Sequence, residues 1–283
     1  MTLFNRKFLL EIGDQTGAQA IDELRIKFSV ERTVAAVPAK ADITVYNPSS
    51  TTISRAQQKG ALVRLQAGYE DNIEIIYEGK IRRTMLQHTG PDVVLTVVCG
   101  DGDAAYRSAR ITQSFPPNTR ITKIIREIIK TMKAQEVKVG AVLRNLRTIL
   151  GTAGHRVNKQ VTTKGVSLDG SSAFHLTHML DQYDMQWDIQ NGELVIGKRN
   201  QPSELFPTAV VLKSDTGLVG APEIGENSVL TVTSLLQPQL APMRQLRIEG
   251  SRSANGLYVA RKVNHKGDSE GNEWYTTVEA IAV

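Results

Sequence analysis

His175, His178 and Asp181 stand three apart in SAFHLTHMLDQY, so on a helix their side chains follow one face within reach of a shared metal ion. A zinc-protease helix instead presents two His four apart with a Glu as base, and this chain has no HExxH. Beside the apolar Phe174, Leu176, Met179 and Leu180, the three read as surface polar residues. Asp101 and Asp103 in CGDGDAAY open like a calcium loop, but the closing position eleven residues after Asp101 is Thr112 rather than a bidentate Glu. The segment reads as a strand-to-helix turn with Asp103 near the helix N-terminus, where its charge is favourable. His265 and Asp268 in NHKGDSEGNEWY could supply a base and its orienting acid. They have no nucleophile to serve, since GxSxG is absent and Cys99 lies in an apolar strand, where a thiol is inert. Lys266-Gly267-Asp268 reads instead as a hairpin turn. No phosphate loop occurs either. These residues point to no enzyme, no metal and no cofactor.

Composition sets the frame that must position whatever does act. The chain has 283 residues, 41% of them apolar, enough to bury a core across two or three domains. A single Cys excludes an internal disulfide framework and a Cys-based zinc cluster. No apolar run approaches the roughly 18–20 residues of a bilayer span, so a soluble chain without membrane insertion of its own is expected. The start, MTLFNRKFLLEIGDQ, lacks a signal-type cleavage site and reads as a first strand, which implies assembly in a cytoplasm.

The formal charge of +5 hides a segregation. Residues 104–164 hold 13 Lys or Arg, Arg156 and Lys159 among them, against Glu127 and Glu136, a net of +11 that leaves the remainder at −6. Such a block favours an acidic partner surface. Lys123, Arg126, Lys130 and Lys133 occupy the polar face of an Ile-rich helix, and Arg144 and Arg147 follow. This candidate basic surface could track nucleic-acid phosphates. With only Tyr106 and Phe115 nearby to stack bases, a charged protein interface is the preferred reading over single-strand recognition.

Residues 7–100 read mostly as strands. In LRIKFSVER, Leu24, Ile26, Phe28 and Val30 alternate with Arg25, Lys27, Ser29 and Glu31, the period of a sheet with one wet face. Ile73, Ile75, Tyr77 and Ile81 repeat the pattern, with Gly79 marking a bulge or a close approach of backbone. NPSSTTISRAQQKG is a turn followed by a short polar helix ending at Gly60. From 101 the period changes: residues 119–133 form an amphipathic helix capped by Asn118 or Thr119, 172–183 a second helix, and MQWDIQNGELVIGK a hairpin turning at Asn191-Gly192. QPSELFP (201–207) reads as a linker, after which antiparallel strands resume. The expected fold class is α+β, mainly β: an antiparallel β domain at 1–100, a basic α+β insert at 101–205 and a second β domain at 206–283. The last is small enough that it should pack on the first or on a neighbouring chain.

The ordered succession LRIKFSVER, ADITVYNPSS, VRLQAGYED, IYEGKI, VVCGDGDAAY, SLLQPQLAP and NHKGDSEGNEWYTTVEA resembles the baseplate hub proteins of contractile-tailed bacteriophages across both ends of the chain. The resemblance rests on Asn47 and Pro48, Gly68 and Tyr69, Gly79, Leu235, Leu236 and Pro238, and His265, Gly267 and Asp268. It departs at Pro242-Met243, where the family pattern implies Pro-Gly. What the resemblance implies is two tail-tube-like β domains per chain and a homotrimer whose pseudo-sixfold ring joins a sixfold tail tube to a threefold spike. The implied partners are the tail spike protein, the tail tube or its initiator, and other baseplate proteins, with the tape measure and DNA in transit during genome ejection. The implied location is the tail baseplate of a virion. Two other classes stay open: a nucleic-acid-binding protein acting through 104–164, and a cell-wall hydrolase component of the tail tip using His265 and Asp268.

Overall fold

The computed structural model describes residues 5–14, 17–34, 37–70, 72–152, 161–203, 206 and 208–283. Arg156 and Lys159 of the basic run, and Glu204, Leu205 and Pro207 of the expected linker, lie outside them.

The first region contains β1 (Arg6–Asp14), β2 (Gly17–Ile21), β3 (Ile26–Thr33), β4 (Lys40–Tyr46), α1 (Ser50–Gln57), β5 (Leu62–Tyr69), β6 (Asn72–Thr89) and β7 (Asp92–Gly100). Alternation decides which face of each strand is dry: Ile26, Phe28 and Val30 of β3 are buried with Ile43 and Val45 of β4 and Leu95 and Val97 of β7. Ser49 starts α1 by accepting the Thr52 N–H at 3.1 Å. β6 departs from the sequence expectation twice. It runs to Thr89, well past Ile81. The extra residue Ile76, between the pairs Leu65–Tyr77 and Gln66–Ile75, reverses the phase of the strand. Ile73 and Ile75 are therefore exposed, and Ile76 is buried beside Tyr77.

The insert contains α2 (Asp103–Ser108), β8 (Arg110–Phe115), α3 (Ile121–Lys133), α4 (Gly140–Thr152), β9 (Val166–Ser171), α5 (Ser172–Asp181), β10 (Met185–Gln190) and β11 (Glu193–Lys198). The isoleucines of α3 all face inward. Arg120, not Asn118 or Thr119, holds the N-cap position. Asn118 takes a left-handed φ of 62°, and the Thr119 hydroxyl is turned to the Pro116 carbonyl at 2.6 Å, so neither can cap. α4 had no counterpart in the sequence reading, although Val142, Leu146, Ile149 and Leu150 carry its period and are buried. Phe174, expected on the apolar face of α5, is 65% exposed.

The last region contains β12 (Val210–Leu212), β13 (Leu218–Ile224), β14 (Val229–Leu235), β15 (Gln245–Ile248), β16 (Gly256–Asp268) and β17 (Trp274–Ala282). β12 pairs with β15 in parallel, against the antiparallel expectation. Lys266-Gly267-Asp268 is strand, not turn, and the hairpin reverses beyond it. Ser203 is buried and donates its N–H to the Met243 carbonyl at 2.9 Å, so this part of the expected linker is packed.

Hydrogen bonding places all the β1–β7 and β12–β17 strands in one 13-stranded sheet, whose main path is β13-β14-β17-β16-β3-β4-β7-β6-β5-β1-β2. Within it the same four-strand unit occurs twice. In β3-β4-β7-β6 the first two strands are sequence neighbours, the fourth in chain order pairs with the second, and the third closes the far side. In β13-β14-β17-β16 the arrangement is the same. The two last strands, β6 and β16, are the longest of their regions and both carry a bulge, at Ile81/Arg83 and Ala260/Lys262. The first part of each pairs outside its unit, β6 with β5 and β16 with β15. The chain thus contains a duplicated topology that no repeat in the sequence reveals.

Candidate interfaces and the buried junction

Two joints hold the regions together, and they differ in chemistry. The seam between the β regions is a seven-pair antiparallel ladder of residues 262–268 in β16 with 27–33 in β3. Apolar packing crosses it: Trp274 and Leu236, from the last region, are fully buried in the core of the first. The Trp274 ring meets Phe28 edge-on at 5.3 Å and donates its Nε1–H to the Gly68 carbonyl at 3.2 Å. Gly267 lies flat on this pair, since a Cβ there would stand 2.3 Å from Phe28 Cζ and 2.8 Å from Trp274 Cε3. Asp268 accepts from Arg25 at 2.8 Å and lies 3.3 Å from Lys27 Nζ. The Arg25 hydrogen bond holds its carboxyl below the usual range, to about 2. His265 is buried, with Nδ1 2.9 Å from the Thr276 hydroxyl and Nε2 3.1 Å from the Leu240 carbonyl. Burial and then Arg32 push its pKa down to about 3, so it is neutral. His265 and Asp268 are therefore each committed to separate structural partners and do not form an acid–base pair.

The other residues of the family-like pattern have equally local duties. Asn47, at φ 52°, ties β4 to β7 by accepting the Val93 N–H at 2.9 Å and donating to Asp92 Oδ1 at 2.9 Å. Pro48, buried, leads into the α1 cap, and Tyr69, also buried, pairs with Arg6 of β1. Gly68 passes so near Asn72 that a Cβ would lie 1.9 Å from its carbonyl oxygen. Gly79 leaves room for the Tyr77 hydroxyl. Leu235 pairs with Tyr275, and Pro238 is buried in the loop that also carries Leu236. Gly68, Leu236, His265, Gly267 and Asp268 are thus gathered at the seam. Tyr69 joins them, its hydroxyl bonded to the Leu236 backbone, whereas Asn47 and Gly79 stabilise the first region away from the seam.

The second joint docks the insert, and it is mostly polar. Arg32 continues the buried phase of β3 and is 3% exposed. Its guanidinium donates to Asn191 Oδ1 at the turn of the β10–β11 hairpin and lies 3.8 Å from Asp101 Oδ2. Asn191 donates to the Ile75 carbonyl at 3.3 Å, and the Gly192 N–H to Asp101 Oδ1 at 3.1 Å. Asp188 is 1% exposed and accepts from the Tyr106 hydroxyl at 3.2 Å. Gln190 reaches the Pro242 carbonyl at 2.9 Å. At the rim, Lys80 meets Glu136 at 2.5 Å and Lys138 meets Glu78 at 3.4 Å. Burial raises both buried carboxyls, Asp188 to about 7 and Asp101 to about 6, with Arg32 opposing. Above the cluster a cleft of about 460 Å³ opens between Glu74, Lys138, Glu193, Pro238 and Arg244.

Met243 resolves the departure from the family pattern. Its φ is 63°, the left-handed region where Gly is comfortable, yet the side chain is fully buried and its sulfur would lie 3.3 Å from a Cβ on Gly197 of β11. The strain is offset by packing onto the insert.

Lys123, Arg126, Lys130 and Lys133 of α3 and Arg144 and Arg147 of α4 are all exposed. Lys130 pairs with Glu127 at 2.8 Å. The structure brings these six onto one small body but leaves their partner open. His175, His178 and Asp181 do not converge: His175 Nε2 meets the Asp169 carbonyl, His178 stacks on Phe174, and Asp181 binds Arg199. Among the described residues no group of three His, Cys, Asp or Glu could hold a metal, and no helix is long and apolar enough to cross a membrane. Sequence reasoning missed Arg32 and Asp188. The available signal was a charged residue in phase with Ile26, Phe28 and Val30.

The sequence pattern of a family described as baseplate hub gp41 matches residues 9–280. No curated protein matches the chain significantly in sequence. In fold the chain is similar to the 43 kDa tail protein of prophage MuSo2 from Shewanella oneidensis (TM-score 0.64, 10% identity, 98% of each chain covered). It is also similar to a tail protein from Neisseria meningitidis MC58 (TM-score 0.63, 8% identity, 96% of each chain). A third similar structure is the E. coli c3393 protein, a type VI secretion system component described as resembling T4 bacteriophage tail proteins gp27 and gp5. There the TM-score is 0.64 at 12% identity, covering 97% of this chain and 76% of the other.

Proposed function

The chain belongs to the baseplate hub gp41 family, and on that premise we propose that three copies close into a pseudo-sixfold ring that adapts a sixfold tail tube to a threefold spike. The observation that carries this reading is the duplicated unit. Within one chain the two units join by the distal half of β16 pairing with β3, the last strand of one unit against the first of the other. The counterpart joint would set the distal half of β6 against β13 of a neighbouring copy. Both edges lack a second partner among the described residues, since residues 83–89 pair only with β7 and β13 only with β14. Each edge is seven residues long and bears exposed apolar side chains, Met85 and Leu86 on one and Val219 and Ile224 on the other. Charge also matches, Arg83 against Glu223 and Glu226. Repeating one joint six times uses every free edge of this kind, which removes a template for aggregation.

Function then resides in interfaces. The tube, the spike, other baseplate proteins, the tape measure and the DNA passing at ejection are the proposed contacts, and the virion baseplate the proposed location. The exposed basic face of α3 and α4 would meet an acidic surface of one of the neighbouring proteins. Light scattering on the pure protein or its spike complex should give the mass of a trimer, and Val219→Lys with Ile224→Lys should give monomers. Monomers from the native chain, with and without the spike, would overturn the ring.

A further inference from the structure

The insert is built as a separate body. Its apolar core, from Ala105 to Ile196, shares no member with either β core. What ties it down is the docked turn at Asn191-Gly192 with the buried charges beneath it, together with Gln190 on the Pro242 carbonyl, Met243 against Gly197 and two ion pairs at the rim. There one guanidinium, Arg32, faces two carboxyls, Asp101 and Asp188, and the count is one cation short. His265 supplies no charge, being neutral with both ring nitrogens bonded. Arg32 Nε, Asp101 Oδ2, Asp188 Oδ2 and the Tyr77 hydroxyl are buried and make no hydrogen bond among the described residues. A buried carboxylate without its own counter-charge is strongly unfavourable, whereas a protonated one is not.

We propose that this cluster is a proton-operated latch: with one carboxyl protonated the hairpin turn stays seated on Arg32, and with both ionised the turn loosens and the insert can reorient on its chain connections. The groups acting on the pair are Arg32 from β3, Glu78 from β6, Tyr106 from α2 and Ile189, Gln190, Asn191 and Gly192 of the hairpin; Tyr77 faces Asp101 and is itself flanked by Arg32, Arg82 and Cys99, and His265 faces Arg32. Arg32 is the cation acting on both carboxyls, whereas Arg82 acts on Tyr77 and Cys99. Burial penalises both anions most, and Asp101 raises Asp188 further, so Asp188 is the group that keeps its proton longest as pH rises. The latch is closed in mild acid and opens on passing about 7. It does not depend on the ring: it is a property of each chain, whether alone or assembled.

Hydrogen exchange on the full chain, corrected for the intrinsic rate, tests it at the Gly192 amide, which closes the docked turn on Asp101, with the Lys138 and Leu194 amides as controls bonded within the insert. The Gly192 protection should fall roughly fourfold between about pH 6.5 and 8.5, while the Lys138 and Leu194 amides and the Leu236 and Gln237 amides at the seam hold. Asp188→Asn should keep the turn protected across the range. A flat native profile, or an unchanged slope in Asp188→Asn, would overturn the latch. If that variant does not fold, the contrast between turn and seam amides in the native chain decides alone, equal slopes counting against it.

Discussion

The seam between the β regions and the junction that docks the insert both bury charged or titratable side chains on β3 and β16, yet they are stabilised in opposite ways. At the seam, apolar surface crosses the joint and every buried polar group has a partner: His265 is bonded twice, and Asp268 is held by Arg25 and Lys27. At the junction the cores stay separate and the buried charges do not balance. The seam therefore behaves as the interior of one body. The junction behaves as a contact between two. The lesson is that a joint's strength follows from what is shared across it, since a shared apolar core adds free energy at about 25 cal/mol per Å², whereas buried ion pairs barely offset their own desolvation.

The sharpest way to break this contrast is Trp274→Ala. It should lower stability by about 3–5 kcal/mol in urea unfolding. The fluorescence of Trp187, buried in the insert, should report a transition that survives the loss, because the insert keeps its own core. A cost below about 1 kcal/mol would show the seam to be no more than a contact. Gly267→Ala forces a methyl onto Phe28 and Trp274 and should cost about 1–3 kcal/mol by the same measurement.

The pH responses should run in opposite directions. His265 and Asp268 have folded pKa values below their unfolded ones, so their stabilisation is full above those unfolded values and is lost as pH falls, toward about 3 and about 2. Asp188 and Asp101 are raised, so their contribution is full near pH 4 and is lost as pH rises through about 6 and about 7. Limited proteolysis should accordingly open the seam in acid and the insert connections in mild base. The same sense at both joints would remove the distinction. Met243→Gly relieves a left-handed Met but deletes a packed side chain, and thermal melting should show a net loss of about 1 kcal/mol. Smallest of all, Arg126→Glu should change stability by no more than about 0.5 kcal/mol, while weakening and flattening the salt dependence of any acidic partner's binding.

Legibility in the sequence followed the range of the interaction. Period-two alternation in LRIKFSVER, the Ile ladder of α3 and the Asn-Gly turn of β10–β11 are local patterns, and each marks an element that the structure contains. Ile73 and Ile75 mislead because the residue that reverses their phase is extra only relative to β5. Phe174 misleads because its helix face is apolar in sequence but left uncovered by its neighbours. The residues of the family-like pattern could be named in advance, but not their duties. His265 reads as a candidate base until β17 and the 236–244 loop close over it.

By itself the sequence determined most of the element types, α4 excepted, the basic character of the middle third and the resemblance to hub proteins, because composition and short periods are written along the chain. Only the tertiary structure decided that one four-strand topology occurs twice, that Trp274 is buried in the other region's core, and that Arg32 sits under two carboxyls. Strand order and burial depend on which distant segments meet, and hydrogen bonds between backbones leave no mark on the side chains that form the sequence.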